Sequence, residues 1–256
     1  PKPVNPKPAN PKPVNPKPVN PEIMRKIAVT DIHGCKNTFL ALLDRIALSQ
    51  SDELYLLGDY VDRGPDSKGV IDVIRDMRKK GYRVHCLRGN HEELVLQAAG
   101  NDFTGLERWL VSDGKKTIDS FGVDRYSDIP EEYLQFMREL PYYMETDGYI
   151  LVHGGLDFSL ADPLSNTDEM CWIRNGAWYG QVRYDWLGDR TILHGHTPMA
   201  VQRIEDQFLS LDIDRYLDLD AGCVFAESRF TDREGLGALC AFNMTSRELM
   251  FQPYAG

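Results

Sequence analysis

The stretch Gly58-Asp59-Tyr60-Val61-Asp62-Arg63-Gly64 decides how this chain is read. It follows the apolar run Leu54-Tyr55-Leu56-Leu57, which predicts a buried strand. Seven residues carry two carboxylates, one guanidinium and a glycine at each end. The glycines let the backbone leave the strand abruptly and pass close to whatever the side chains hold. Asp59 and Asp62 stand too far apart along an extended chain to form one chelate, so they suit two different tasks. Taken alone, the stretch also fits an acidic loop with a salt bridge.

Four other places repeat its layout, an apolar run that ends in Asp, His or Asn with a glycine. Lys26-Ile27-Ala28-Val29 runs into Thr30-Asp31-Ile32-His33-Gly34, and Tyr82–Leu87 into Arg88-Gly89-Asn90-His91-Glu92. Tyr149–Val152 runs into His153-Gly154-Gly155, and Thr191–Leu193 into His194-Gly195-His196-Thr197. In α/β sheets, sites form beyond the carboxyl ends of strands, where loops from several strands converge. The predicted constellation is Asp31, His33, Asp59, Asn90, His153 and His194. Imidazole and amide ligands mixed with carboxylates suit a mid-series transition metal better than an all-oxygen Ca²⁺ or Mg²⁺ cage. Six ligands exceed one tetrahedral site and suit two adjacent ions about 4 Å apart, with Asp59 as the bridge. A structural metal site fits poorly, because such sites are closed and rich in cysteine.

Together GDxVDRG, GNHE, DxHG, HGG and a late HGHT resemble the phosphoprotein phosphatase family of binuclear metallophosphoesterases, most closely its compact bacterial and phage members. The motifs span about residues 26–225 in family order. The resemblance implies an α/β metallophosphoesterase (calcineurin-like) fold, a β-sandwich of two mixed sheets flanked by helices. It implies that Asp31, His33 and Asp59 hold one divalent ion and Asp59, Asn90, His153 and His194 the other, with Mn²⁺, or Fe and Zn, as the family's usual metals. It further implies in-line attack by a metal-bridging hydroxide, with His91 protonating the leaving alkoxide and Asp62 orienting His91. Arg63 and Arg174 would bind phosphate oxygens. Arg88 is open between a substrate contact and a structural ion pair. Thr30 stands where many relatives have glycine, and the long regulatory tail of eukaryotic members does not follow, which argues against control by such a tail.

The implied reaction is hydrolysis of phosphate monoesters, foremost on phosphoserine and phosphothreonine of proteins, with phosphotyrosine as an extension. Symmetrical cleavage of diadenosine tetraphosphate by a hydrolase with the same motifs is the alternative. A non-catalytic binding module is a remote one. The aromatic group Trp172, Trp178, Tyr179, Tyr184 and Trp186 reads as a packed flap or as a recognition surface.

Residues 1–23 differ from the rest. PKPVN, PKPAN, PKPVN and PKPVN fill positions 1–20, and their prolines exclude helix and interior strand, leaving an extended polyproline II spacer. A linker, a native spacer and a ligand for a proline-binding partner all fit. Residues 24–256 suit one catalytic domain. The full chain carries a net charge of −10, and the tail is basic, so the body is more acidic still. Such a body is a poor nucleic-acid binder. No run reaches the roughly 20 apolar residues of a membrane span. Cys35, Cys86, Cys171, Cys223 and Cys240 form no CxxC pair and read as reduced, buried thiols, which points to a cytoplasmic protein.

Helices are expected after His33, capped by Asn37, and over about Ser67–Lys80, stopped by Gly81. Residues 93–145 should be mostly helical and either cover the site or pad the sheet. Residues 207–211, 217–219, 236–242 and 249–252 alternate as antiparallel strands would. His85 reads as a core or edge histidine. Asp212, Asp214, Asp218 and Asp220 lack the glycine and terminal glutamate of an EF-hand loop and read as a solvated edge.

Overall fold

The computed structural model describes residues 24–100, 102–226 and 234–256. The proline-rich tail, with its expected extended form and proline-binding partner, lies outside the described residues. Nine strands are described: β1 Lys26–Val29, β2 Glu53–Leu56, β3 Arg83–Cys86, β4 Tyr143–Thr146, β5 Tyr149–Val152, β6 Thr191–His194, β7 Tyr216–Asp218, β8 Ala238–Asn243 and β9 Glu248–Pro253. They build one sheet in the order β3-β2-β1-β8-β9 and a second in the order β4-β5-β6-β7. Both are mixed. The first three strands run parallel and β8 and β9 antiparallel, while β5, β6 and β7 run parallel beside antiparallel β4.

The helices are α1 Lys36–Arg45, α2 Ser67–Lys79, α3 Asn90–Ala99, α4 Phe103–Val111, α5 Gly114–Phe121, α6 Glu131–Arg138, α7 Thr167–Trp172, α8 Asn175–Trp178, α9 Tyr184–Leu187, α10 Val201–Leu209 and α11 Leu211–Asp214. Asp66 caps α2 by accepting from the Gly69 amide, and Gly81 follows it with φ 88°. α1 starts two residues earlier than expected. Cys35 precedes it, and Asn37 lies inside its first turn rather than capping it.

Alternation along the strands makes the sandwich. Ala28, Tyr55, Leu57 and Phe242 of the first sheet face Leu151, Leu193 and Leu217 of the second. Ile27, Val29, Leu54 and Leu56 face the opposite way, onto Phe39 and Leu42 of α1 and Val70, Ile71 and Ile74 of α2. On the outer face of the second sheet, Ile150, Val152 and Ile192 pack on Trp178 and Leu187. Each fully buried side chain of this kind contributes about 1.5–3 kcal/mol.

Register places the loops. Val29 pairs with Leu56, and Leu56 with Cys86, so three parallel strands end level and release their loops at one edge. Leu151 pairs with Leu193 and Leu193 with Leu217, which does the same in the second sheet.

Two expected strands differ. Residues 207–211 lie at the end of α10 and the start of α11. Val201, Ile204, Phe208 and Leu211 recur at helical spacing over a longer window, and that period overrides five alternating residues. Residues 217–219 overlap β7, which is parallel to β6. His85 lies on edge strand β3, stacked on Tyr55 at 4.6 Å between ring centroids. Among the described residues no helix is long and apolar enough to cross a membrane.

Candidate active site

Six residues in the strand-end loops hold φ in the left-handed region: Asp31, His33, Asp59, Asp62, Arg63 and His196. Non-glycine residues adopt this conformation at a cost, and they do so where the surroundings enforce it. The turns here are tight enough to bring side chains from both sheets together.

Asp59 is at the centre, 1% exposed. Its Oδ2 lies 3.4 Å from His33 Nε2 and 3.9 Å from His91 Nε2, and its Oδ1 lies 3.4 Å from His153 Nε2. His33 Nε2 is also 3.8 Å from Asp31 Oδ1, and His153 Nε2 is 3.0 Å from Asn90 Oδ1. The ring orientations are fixed from behind. His33 Nδ1 donates to the Val61 carbonyl at 2.8 Å and His153 Nδ1 to the Leu57 carbonyl at 2.9 Å. Each Nε2 therefore faces the carboxylates, the arrangement that prepares an imidazole for a metal.

Two groups of potential ligand atoms share Asp59. One joins it to His33 and His91, the other to His153 and His196, with all atoms of a group within 4.8 Å of each other. His196 takes the place expected of His194. The His194 ring is the last residue of β6 and turns away, its Nε2 2.9 Å from the Tyr179 hydroxyl and its ring 5.0 Å from that of Trp178. His196 sits two residues further on, and its amide donates to Asp31 Oδ2 at 3.0 Å. A Cβ at Gly195 would stand 2.2 Å from that same oxygen, so only glycine permits the approach. The signal was present in the sequence. Asp31, His33, Asp59 and Asn90 all lie at least two residues beyond the ends of their strands, as His196 does and His194 does not.

The donor set fits divalent cations. Asp31 Oδ1 and His196 Nε2 are buried with no hydrogen-bond partner. His153 Nε2 lies 3.0 Å from Asn90 Oδ1 and 3.4 Å from Asp59 Oδ1, so the two oxygens favour a positive charge at this point, a proton on the imidazole or a metal ion in its place. The carboxylates act on the protonation of their neighbours. Burial works against the His153 imidazolium, yet the Asp59 and Asp31 charges push it up to about 10. Burial raises the Asp31 carboxyl, and Asp59 raises it further. His196, buried and beside His153, is held down to about 2 and is a neutral imidazole at neutral pH.

Glu92 and Thr30 brace the cluster, neither with a role assigned from sequence. The Glu92 carboxylate accepts from the amides of Asp59 at 2.9 Å, Tyr60 at 2.8 Å and Gly89 at 2.9 Å, tying two loops together. Burial and the neighbouring Asp59 push its carboxyl up to about 7. The Thr30 hydroxyl donates to Asp31 Oδ2 at 2.6 Å.

His91 is 1% exposed, and its Nδ1 lies 2.7 Å from Asp62 Oδ2. Burial opposes its charged form, but Asp59 and Asp62 overcome that and raise its pKa. Arg63 Nη1 reaches His33 Nε2 at 2.7 Å, and its guanidinium packs 5.6 Å from the Phe225 ring centroid. Arg174 is exposed just before α8, and its charge is felt by His196. Arg88 is committed elsewhere. It bonds Glu93 at 2.7 Å, the Tyr142 hydroxyl at 3.1 Å and the Arg138 carbonyl at 2.6 Å, so it is a structural clamp rather than a substrate contact.

Trp178 is fully buried, with Phe158, Tyr179, His194 and Tyr216 around it, so the centre of the aromatic group is packing and not a stacking platform. Asp218 and Asp220 are 0% and 3% exposed, contrary to the solvated edge expected of them. Asp218 accepts from Asn175 Nδ2 at 2.7 Å and from the Asp220 amide, and Asp220 accepts from the Gly222 amide. The helical insertion covers the site, because Trp109 of α4 and Thr117 of α5 both bond Asp62.

The profile of the calcineurin-like phosphoesterase family matches residues 24–226. The chain belongs to that family. Members of the family are metal-dependent hydrolases of phosphoric esters, and this chain is a metallophosphoesterase with the donor set such an enzyme needs. It is 23% identical to the asymmetrical bis(5'-nucleosyl)-tetraphosphatase PrpE of Bacillus velezensis, over 80% of this chain and 89% of the relative. It is 31% identical to the symmetrical bis(5'-nucleosyl)-tetraphosphatase of Nitrosomonas europaea, over 52% of this chain and 45% of that one. Among solved structures it resembles a provisionally assigned diadenosine tetraphosphatase, with TM-score 0.63, 21% identity and coverage of 93% and 97% of the two chains. It also resembles a serine/threonine phosphatase of Saccharomyces cerevisiae, with TM-score 0.60, 15% identity and coverage of 91% and 80%. At those identities the structural likenesses speak for the fold.

Proposed function

We propose that this metallophosphoesterase hydrolyses phosphomonoesters with an alkoxide leaving group, foremost phosphoserine and phosphothreonine in proteins, as members of the phosphoprotein phosphatase family do. Asp31, His33 and Asp59 would hold one divalent cation, and Asp59, Asn90, His153 and His196 a second. Bound there, such cations neutralise phosphate charge and activate water for in-line attack on phosphorus. The mixed imidazole, amide and carboxylate set suits Mn²⁺, with Fe or Zn as alternatives.

The other tasks fall to this chain's own side chains. Arg63 and Arg174 bind the phosphate oxygens, which a planar guanidinium can engage in pairs. His91 carries a proton at Nε2 while Asp62 holds Nδ1–H, and it gives that proton to the departing oxygen. The carrying observation is this buried His91–Asp62 pair at 2.7 Å. A serine alkoxide leaves poorly without a proton, whereas a phosphate or nucleotide leaves readily. A carefully held acid is therefore worth most on an alkyl ester. Five free, buried cysteines favour a reducing, cytoplasmic setting.

A second reading is favoured by the curated relatives named bis(5'-nucleosyl)-tetraphosphatases, among them asymmetrical ones that this chain matches over most of both lengths. Under it the substrate is a dinucleoside polyphosphate. Turnover of a phosphoserine peptide against diadenosine tetraphosphate, by Mn²⁺-loaded protein, separates the two. A higher kcat/KM on the peptide supports the first reading. Preference for the dinucleotide overturns it, and the products (two ADP, or ATP with AMP) then tell the symmetrical from the asymmetrical reaction.

A further inference from the structure

Asp62 receives more than its histidine. Trp109 Nε1 donates to both carboxylate oxygens at 2.9 Å, and the Thr117 hydroxyl donates to Oδ1. The same Thr117 oxygen accepts from the Asp62 amide at 2.9 Å, and Ser67 Oγ accepts from that amide at 3.0 Å and bonds Thr117. Asp62, Ser67, Trp109 and Thr117 are each 0% exposed. Of these partners, Trp109 and Thr117 come from the helical insertion, 47 and 55 residues from Asp62 in sequence.

The turn between α4 and α5 is shaped for the indole. Asp113 adopts φ 65°, and a Cβ on Gly114 would stand 2.5 Å from Trp109 Nε1. A side chain there would push the indole off the carboxylate. Both oxygens of Asp62 are thereby pinned, Oδ1 by Thr117 and Trp109, and Oδ2 by Trp109 and His91. A carboxylate held at both oxygens cannot turn about its Cβ–Cγ bond, so the direction in which it receives His91 Nδ1–H is fixed.

We infer that Trp109 and Thr117 are positioning residues for proton transfer: they lock the Asp62 carboxylate and through it aim His91 Nε2 at the leaving oxygen. The inference rests on the proposed role of His91 as proton donor. Neither residue touches substrate, and neither belongs to the ligand set. Their contribution should therefore grow with the difficulty of the leaving group and vanish where no proton is needed.

The test compares an alkyl phosphate with para-nitrophenyl phosphate, whose phenolate leaves without help, using Mn²⁺-loaded protein. Thr117→Val keeps the shape and loses the hydroxyl, Thr117→Ser keeps the hydroxyl, and Trp109→Phe loses the indole donor. Thermal melting and Mn²⁺ titration of each variant report folding and metal binding separately, and His91→Asn is the benchmark.

The expected result is a kcat on the alkyl phosphate about tenfold to a hundredfold lower in Thr117→Val and Trp109→Phe. Turnover of para-nitrophenyl phosphate should stay within about threefold, with Thr117→Ser close to wild type. Equal losses on both substrates, or none, in variants that fold and bind Mn²⁺ would overturn the positioning role, provided His91→Asn discriminates between the substrates. If His91→Asn fails to discriminate, the proton-donor reading itself falls, and the inference falls with it. Should Trp109→Phe not fold, the Thr117 pair decides alone.

Discussion

The amide of His196 donates to Asp31 Oδ2 at 3.0 Å, although 165 residues separate the two in sequence. This bond joins the loop after β6 of the second sheet to the loop after β1 of the first, and it closes the ring of ligand atoms around Asp59. His194, two residues earlier, is instead bound to Tyr179 in the aromatic packing.

The two histidines should therefore behave differently when replaced. His196→Ala is expected to weaken Mn²⁺ binding by at least about tenfold to a hundredfold, with activity falling in step. His194→Gln should lower the melting temperature while Mn²⁺ affinity changes little. Isothermal titration of metal-stripped variants measures both. A larger loss of affinity in the His194 variant would reverse the assignment.

Glu92 holds three buried amides. Glu92→Ala leaves them without partners, at a cost on the order of 4 kcal/mol if each unsatisfied group costs about 1–3 kcal/mol and some relax toward water. Denaturant unfolding of the metal-free protein should show the loss. A change under about 1 kcal/mol would mean that other groups replace the carboxylate.

Arg174 and Arg88 should separate in steady-state kinetics. Arg174→Ala should raise KM for a phosphomonoester by about tenfold through loss of a charge-assisted contact, with the melting temperature unchanged. Arg88→Ala should leave KM near wild type and cost about 2 kcal/mol of stability, because its bonds are to Glu93, Tyr142 and the Arg138 carbonyl.

A pH-dependent term lies at the other end of the first sheet, far from the metal ligands. Arg25 Nη2 is 2.6 Å from Asp52 Oδ2, and Asp52 is 3% exposed. Burial opposes its charge, but Arg25 and Ser49 more than offset this and hold the carboxyl below its usual range. A depressed carboxylate stabilises the fold at pH values above its unfolded value of about 3.9 and loses that effect as pH falls through its folded value. Asp52→Asn should therefore cost about 2 kcal/mol at neutral pH, and the gap to wild type should close only in the acid range. Unfolding of both proteins between pH 7 and pH 3 checks the sign. A gap that widens on acidification would contradict it.

The parallel strands and the loops after them were legible because both signals are local: β-branched runs, then ligand residues with a glycine. Asp31, His33, Asp59, Asn90, His91 and His153 converge for that reason. His196 was obscured because two histidines flank Gly195, and only the path of the chain beyond β6 tells them apart. Trp109 and Thr117 carried no local mark, since an indole and a hydroxyl on amphipathic helices look the same whether they meet core or carboxylate. Asp218 and Asp220 misled because acidic runs are ordinarily solvated. Here Asn175 and the Asp220 amide bond Asp218 inside the protein, and the Gly222 amide bonds Asp220 Oδ1, while Asp220 Oδ2 is buried without a partner.

The most direct test of the account titrates Mn²⁺ into metal-stripped protein while following both binding and hydrolysis of para-nitrophenyl phosphate, for wild type and Asp59→Asn. The account predicts two ions per chain, activity that rises with the second, and loss of both paired binding and turnover in Asp59→Asn. Full turnover without added metal, or an Asp59→Asn variant that binds two ions and turns over as wild type does, would contradict it.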